Sequence, residues 1–258
     1  MSARSKLAGL GRRLTQFLLV EEFRTAVTVI RYVYYRVLLR RLEVFAPESS
    51  DISEHALRHN LDALRRSVVK SARTHVLIRP LTVIQRIRPR IVEASVLSIG
   101  PRAEGELLNL LAHGFRWKNI TGLDLFSYSP KIDVGDIHAM PYEDDRFDVV
   151  IASRVLGYSE APRRAAAEMI RVTRSGGVIA VNTGDVQDGP PKRLKKGYRA
   201  GSADRMATLQ ELLDVFGDCV DQVYHCNDPS NEAAENRGSI VAIFSITKQG
   251  RRDDAARR

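Results

Sequence analysis

The chain has 258 residues, 44% of them hydrophobic, which is enough for one generous domain and an appendage. Its two cysteines, Cys219 and Cys226, form neither a metal spacing nor a disulfide framework and fit a reducing compartment. The formal charge of +9 is uneven: residues 1–95 hold 18 Lys and Arg against 8 Asp and Glu, and the rest holds 22 against 23. Sixteen of those 18 cations are arginine, so the basicity belongs to the first third of the chain.

Residues 1–94 read as a basic, arginine-rich helical extension. The apolar run Phe17–Val20 is closed by Glu21 and Glu22, too short for a secretory signal. No segment approaches the roughly 18 charge-free apolar residues of a membrane-spanning helix. The expected location is therefore cytoplasmic, with membrane association through the extension left open. Phe23, Val27, Ile30, Tyr34, Val37 and Leu38 recur at helical spacing. Arginines at 24, 31, 36, 40 and 41 interrupt that face, and Pro47 is read as its end. A second helix is predicted from Asp51, where Asp51–Glu54 resembles a capping box, toward Pro80. Three roles stay open for the extension: packing on the main domain or on a second copy of the chain, giving a homodimer; a peripheral membrane contact; and phosphate binding. The last is disfavoured because no nucleic-acid module is recognisable.

From residue 95 to 248, short β-rich runs alternate with helical ones. Strands are predicted at Ser95–Ile99, Asn119–Leu123, Val149–Ala152, Gly177–Asn182, Val220–Tyr224 and Ser239–Thr247. Helices are predicted at Glu104–His113, Pro162–Thr173 and Thr208–Phe216. Such alternation implies an α/β fold with a mostly parallel sheet covered on both faces. A ligand then sits beyond the carboxyl ends of the strands, where the winding reverses. Residues 249–258 read as a charged, disordered tail.

The stretches VLSIGPRAEGELLNLL, ITGLDLF, IDVGDIHAMPYEDDRFDVVIASRVLGY and AAAEMIRVTRSGGVIAVN stand in order over residues 95–183. Together they resemble class I S-adenosylmethionine-dependent methyltransferases. The resemblance implies a Rossmann-like, doubly wound, seven-stranded sheet, with S-adenosylmethionine as cofactor and a small-molecule acceptor. Gly100 and Gly105 bracket the turn where backbone approaches a ligand and starts a helix. Asp124, 24 residues beyond Gly100, suits the ribose hydroxyls. The resemblance assigns Asp136 to the adenine amino group and Ile137 to the ring, with Leu125 and Ser153 beside them.

This chain also departs from the family pattern. Ser98 stands where an acidic residue is usual, and the loop G-P-R-A-E-G lacks the middle glycine. Arg102 and Glu104 are therefore read as replacements, meeting the carboxylate and ammonium of the cofactor's methionine end. Eleven residues separate Asp124 from Asp136, too few for the usual helix, so the ribose side needs another cover. His138 and Tyr158 are the candidate bases, and Arg154 is an orienting charge. The scattered histidines form no metal cluster, so metal-independent transfer is expected. Lys195 and Arg199, in a basic Gly/Pro-bounded loop, suggest with Arg154 and Tyr158 a pocket for an acidic sugar, glycan or lipid-linked precursor. The alternative is a non-catalytic scaffold acting through its N-terminal helices. A nicotinamide enzyme fits poorly, because its pyrophosphate needs the glycine missing here.

Overall fold

The computed structural model describes residues 15–45, 64, 68, 74–159, 161–185, 206, 208–229 and 238–248. Most of the predicted second helix, the loop with Lys195 and Arg199, and the tail 249–258 lie outside these residues.

Among the described residues, seven strands form one sheet: β2 (Val96–Ile99), β3 (Ile120–Asp124), β5 (Ile132–Val134), β6 (Phe147–Ser153), β7 (Thr173–Asp185), β8 (Val220–Asn227) and β9 (Ser239–Ile246). Their order is β5-β3-β2-β6-β7-β9-β8, parallel except that β9 runs antiparallel to both of its neighbours. The predicted mostly parallel seven-stranded sheet is thus present, and β2 is the strand at which the winding reverses. A strand buried on both faces needs apolar side chains in both directions. β2 and β6 supply them in alternation. Leu97, Ile99, Val150 and Ala152 join the core on one face, and Val96, Val149 and Ile151 join the core on the other.

The first core is closed by α4 (Pro162–Val172) and α5 (Leu209–Asp214). Ala165, Ala166, Met169 and Val172 recur at three- and four-residue steps, so a single stripe of α4 lies on the sheet. The second core is closed by α2 (His75–Leu81) and α3 (Glu104–Ala112), through Leu77, Ile78 and Leu81 of the former and Leu107 and Leu110 of the latter. Pro80 lies inside α2, in its last turn.

The N-terminal arm packs on this domain with an unexpected face. Helix α1 (Glu21–Tyr32) continues into a π-helical turn, Val33–Leu38. The helix ends there and not at Pro47 as predicted: Arg40 reverses the chain at φ +53°, and Glu43–Val44 form strand β1. β1 pairs antiparallel with β4 (Phe126–Ser127), immediately past Asp124. The side turned to the domain carries polar residues beside the partly buried Val29, Tyr32 and Tyr35. Arg24 and Thr28 are buried, while Phe23 and Ile30 are exposed. Burying a guanidinium is costly unless its donors are used. Arg24 gives Nη1–H to the Leu18 carbonyl at 2.7 Å and sets Nη2 3.0 Å from His75 Nε2. The arm fills the place of the helix missing after Asp124. Phe126 and Tyr128 lie in a small core with Ala103, Leu64 and Val68, against Val29, Tyr32 and Tyr35. The Tyr32 and Tyr128 rings meet edge to face at 5.1 Å.

Candidate active site

The cleft at the carboxyl ends of β2, β3 and β6 is lined by Ile99, Gly100, Arg102, Leu123, Asp124, Leu125, Gly135, Ile137, His138, Ser153, Arg154, Val155, Tyr158 and Ser159. The winding reverses at this end of the sheet, where the strand ends splay and leave a crevice.

Its floor is the turn after β2. Gly100 has φ +70°, and a Cβ there would lie 2.7 Å from Val155 Cγ2, so both conformation and space require glycine. Arg102 also adopts a positive φ, +54°, uncommon for a side chain of its size. Its backbone N–H donates to Asp124 Oδ2 at 2.8 Å, and Leu125 N–H donates to Asp124 Oδ1 at 2.7 Å. Asp124 therefore fixes the loop while lining the cleft. The backbone N–H of Phe126 also bears on this carboxylate. Burial raises its pKa to about 6, against the opposing effect of those N–H groups and the Arg102 charge.

On the opposite wall, Asp136, His138 and Ser159 form a chain. Asp136 Oδ1 lies 2.6 Å from His138 Nδ1 and also accepts the His138 backbone N–H at 2.9 Å. Burial works against the Asp136 carboxylate, but these two hydrogen bonds outweigh it and hold its pKa below the ordinary value. The ionised carboxylate only accepts, so Nδ1 carries a proton, and in the neutral ring Nε2 is left to accept. Nε2 lies 2.6 Å from Ser159 Oγ, which also accepts the Ala161 N–H at 3.1 Å. Tyr158 stands at the rim, 43% exposed. Arg154, with φ +58°, is anchored by its N–H to the Asn182 carbonyl at 2.9 Å.

Ten of the candidate residues meet here: Gly100, Arg102, Asp124, Leu125, Ile137, His138, Ser153, Arg154 and Tyr158 line the cleft, and Asp136 stands behind His138. Glu104 and Gly105 do not line it. Glu104 is fully buried and directed the other way, its carboxylate gripped by the Arg31 guanidinium and the Ser129 hydroxyl. It is thus no partner for the cofactor's ammonium, because its acceptors are spent on the N-terminal arm. Gly105 lies in the first turn of α3. Ser159 and Val155 were not legible as site residues, since Ser159 meets His138 only when two loops 21 residues apart are folded together.

The cleft fits an adenosyl compound. A carboxylate lining the cleft suits vicinal hydroxyls, Ile99, Leu123 and Ile137 offer apolar contact for a purine, and Arg102 supplies a cation for a carboxylate. Among the described residues there is no group of side chains that could hold a metal ion.

Residues 97–181 match the family described as "Methyltransferase domain". The demethylmenaquinone methyltransferase of Renibacterium salmoninarum is 44% identical over 54 residues, 20% of this chain and 23% of that protein. An uncharacterized 37.1 kDa protein in transposon TN4556 of Streptomyces fradiae is 31% identical over 80 residues, 30% of this chain and 23% of that protein. The chain thus spans less than a quarter of the length of these curated relatives. Among solved structures, the Burkholderia thailandensis 1,6-didemethyltoxoflavin-N1-methyltransferase, with bound 1,6-didemethyltoxoflavin and S-adenosylhomocysteine, aligns with a TM-score of 0.50 at 16% identity. That alignment covers 80% of this chain and 94% of the other, a likeness of fold. Residues 97–181 are thus similar to a methyltransferase domain, and the sheet that holds them has the Rossmann-like fold of class I S-adenosylmethionine-dependent methyltransferases.

Proposed function

We propose that the chain transfers a methyl group from S-adenosylmethionine to a small-molecule acceptor. The carrying observation is Asp124 at the end of β3, lining the cleft with the loop after β2 tied to it. Asp124 would hold the ribose, Ile137 and Leu125 would flank the adenine, and Arg102 would pair with the methionine carboxylate. When bound, S-adenosylmethionine supplies an electrophilic methyl on its sulfonium, and the protein supplies alignment.

His138 is a positioned proton acceptor. A proton leaving the acceptor passes to Ser159 Oγ while the Ser159 proton moves to His138 Nε2, and the Asp136 carboxylate stabilises the imidazolium formed. Tyr158 and Arg154 are placed to contact the acceptor, and the Arg154 cation favours an anionic one. Within that class an acidic sugar, glycan or lipid-linked precursor is the substrate we favour, with Lys195 and Arg199 as additional contacts. Isothermal titration of the full chain with S-adenosylmethionine and S-adenosylhomocysteine tests the reading. Binding by the wild type and its loss in Asp124→Ala is the expected result. Absence of heat at sub-millimolar ligand would instead assign the domain as a scaffold.

A further inference from the structure

The helix that grips Glu104 with one side turns an apolar side to solvent. Phe23, Ile30, Tyr34, Val37 and Leu38 follow one another at steps of seven, four, three and one along α1 and its π-helical turn, and all five are exposed. Ile30 and Leu38 are 67% and 69% exposed. The preceding turn extends the stripe with Phe17, Leu19 and Val20, each half exposed or more. A helix docked on a domain ordinarily turns its apolar face inward. Here Arg24, Thr28 and Arg31 occupy the inner side, and the contacts of Arg24 with His75 and of Arg31 with Glu104 fix it there. The outward stripe is thus a property of the folded arm and not of a detached helix.

We propose that this stripe is a docking surface for an anionic lipid bilayer. Apolar side chains large enough to enter the acyl boundary lie along an exposed helix, with Tyr34 among them as an interfacial aromatic. Exposed Arg40 follows the stripe directly, and the cationic excess of the whole chain is confined to residues 1–95, 18 Lys and Arg against 8 Asp and Glu. That charge complements anionic headgroups. A two-fold contact between copies would bring the same cationic arms together. No helix among the described residues is long and apolar enough to cross a membrane, so the contact lies on the surface.

Co-sedimentation of the full chain with vesicles of phosphatidylcholine, with and without phosphatidylserine, tests the proposal. Binding is expected to the anionic vesicles and to fall as salt is raised. Ile30→Asp/Leu38→Asp should weaken it by about a hundredfold or more, with melting temperature and circular dichroism unchanged because both side chains are exposed. Arg40→Glu should weaken it further at low salt. Three outcomes overturn the idea: no binding of the wild type to anionic vesicles, equal binding by the double variant, or a dimer that the double variant dissociates while vesicles never bind.

Discussion

Asp124 links stability and binding in opposite senses, and this yields a quantitative prediction. Its pKa is raised from 3.8 to about 6 by burial, so the folded state prefers the neutral acid. Its stabilising contribution is full below pH 3.8 and is lost as pH rises through about 6. A shift of that size means that roughly 3 kcal/mol is forgone at neutral pH to keep the carboxylate ionised. Hydroxyl donors from a ribose have the opposite preference, since they bond best to the charged form. Affinity for S-adenosylhomocysteine should therefore be flat above pH 7, about twofold weaker at pH 6 and about tenfold weaker at pH 5. Asp124→Asn should lose about 10- to 100-fold in affinity at pH 7.5, the equivalent of one charge-assisted hydrogen bond. Its stability at that pH should barely fall. The relief of burying no charge offsets one backbone N–H, of Arg102 or Leu125, left facing the amide nitrogen. Calorimetric titration from pH 5 to 8, with folding followed by circular dichroism, reads both variants. A flat wild-type profile, or equal slopes in the two proteins, refutes the role given to Asp124.

Gly100→Ala should weaken S-adenosylhomocysteine binding at least about tenfold, and Val155→Ala in addition should recover only part, because it removes the clash and not the positive φ. His138→Ala should leave cofactor affinity within about twofold and lower turnover by about 10²–10⁴-fold on an acceptor that must lose a proton; single-turnover kinetics separates the two. Arg31→Ala leaves the fully buried Glu104 carboxylate without its cation, so the melting temperature should drop by roughly 6–12 °C, while Arg40→Ala on the surface should change it little. Burial and the neighbouring Arg24 lower the His75 pKa, so that part of the stability is present above pH 6.5 and lost on acidification; His75→Asn should flatten the acid side of a melting-temperature profile.

The sheet was legible because its strands are short apolar runs punctuated by glycine, and burial on both faces demands that pattern. Ser95–Ile99 was expected and Val96–Ile99 is found; Ser239–Thr247 was expected and Ser239–Ile246 is found. Residues 97–181 carried enough local signal to place Gly100, Asp124, Ile137 and Tyr158 at one cleft. What escaped the sequence depends on contacts between distant segments. The pairing of His138 with Ser159 needs the loop after β5 to meet the loop after β6. The orientation of α1 was hidden for the same reason. Periodicity reveals an apolar side, but which side faces the protein depends on polar groups available elsewhere, here the His75 ring and the Glu104 carboxylate.

Two departures from the family pattern are physically one. The eleven residues between Asp124 and Asp136 leave no room for a helix, so Phe126 and Tyr128 would lie bare beside the start of α3. The N-terminal arm covers them, with β1 pairing to β4 and Tyr32 set against Tyr128. The side that supplies this cover also brings the Arg31 guanidinium to the domain, where a carboxylate with two oxygens suits it. Glu104 is that carboxylate. It accepts from Arg31 at both oxygens and from Ser129 in the shortened connection. Arg31 also stacks over Tyr35 and Trp117, each 5.3 Å from its centre. The acidic residue in the glycine loop is therefore explained by the arm and not by the cofactor. The same contact pins the start of α3, two residues beyond Arg102, so the position of the loop after β2 depends on a helix outside residues 97–181.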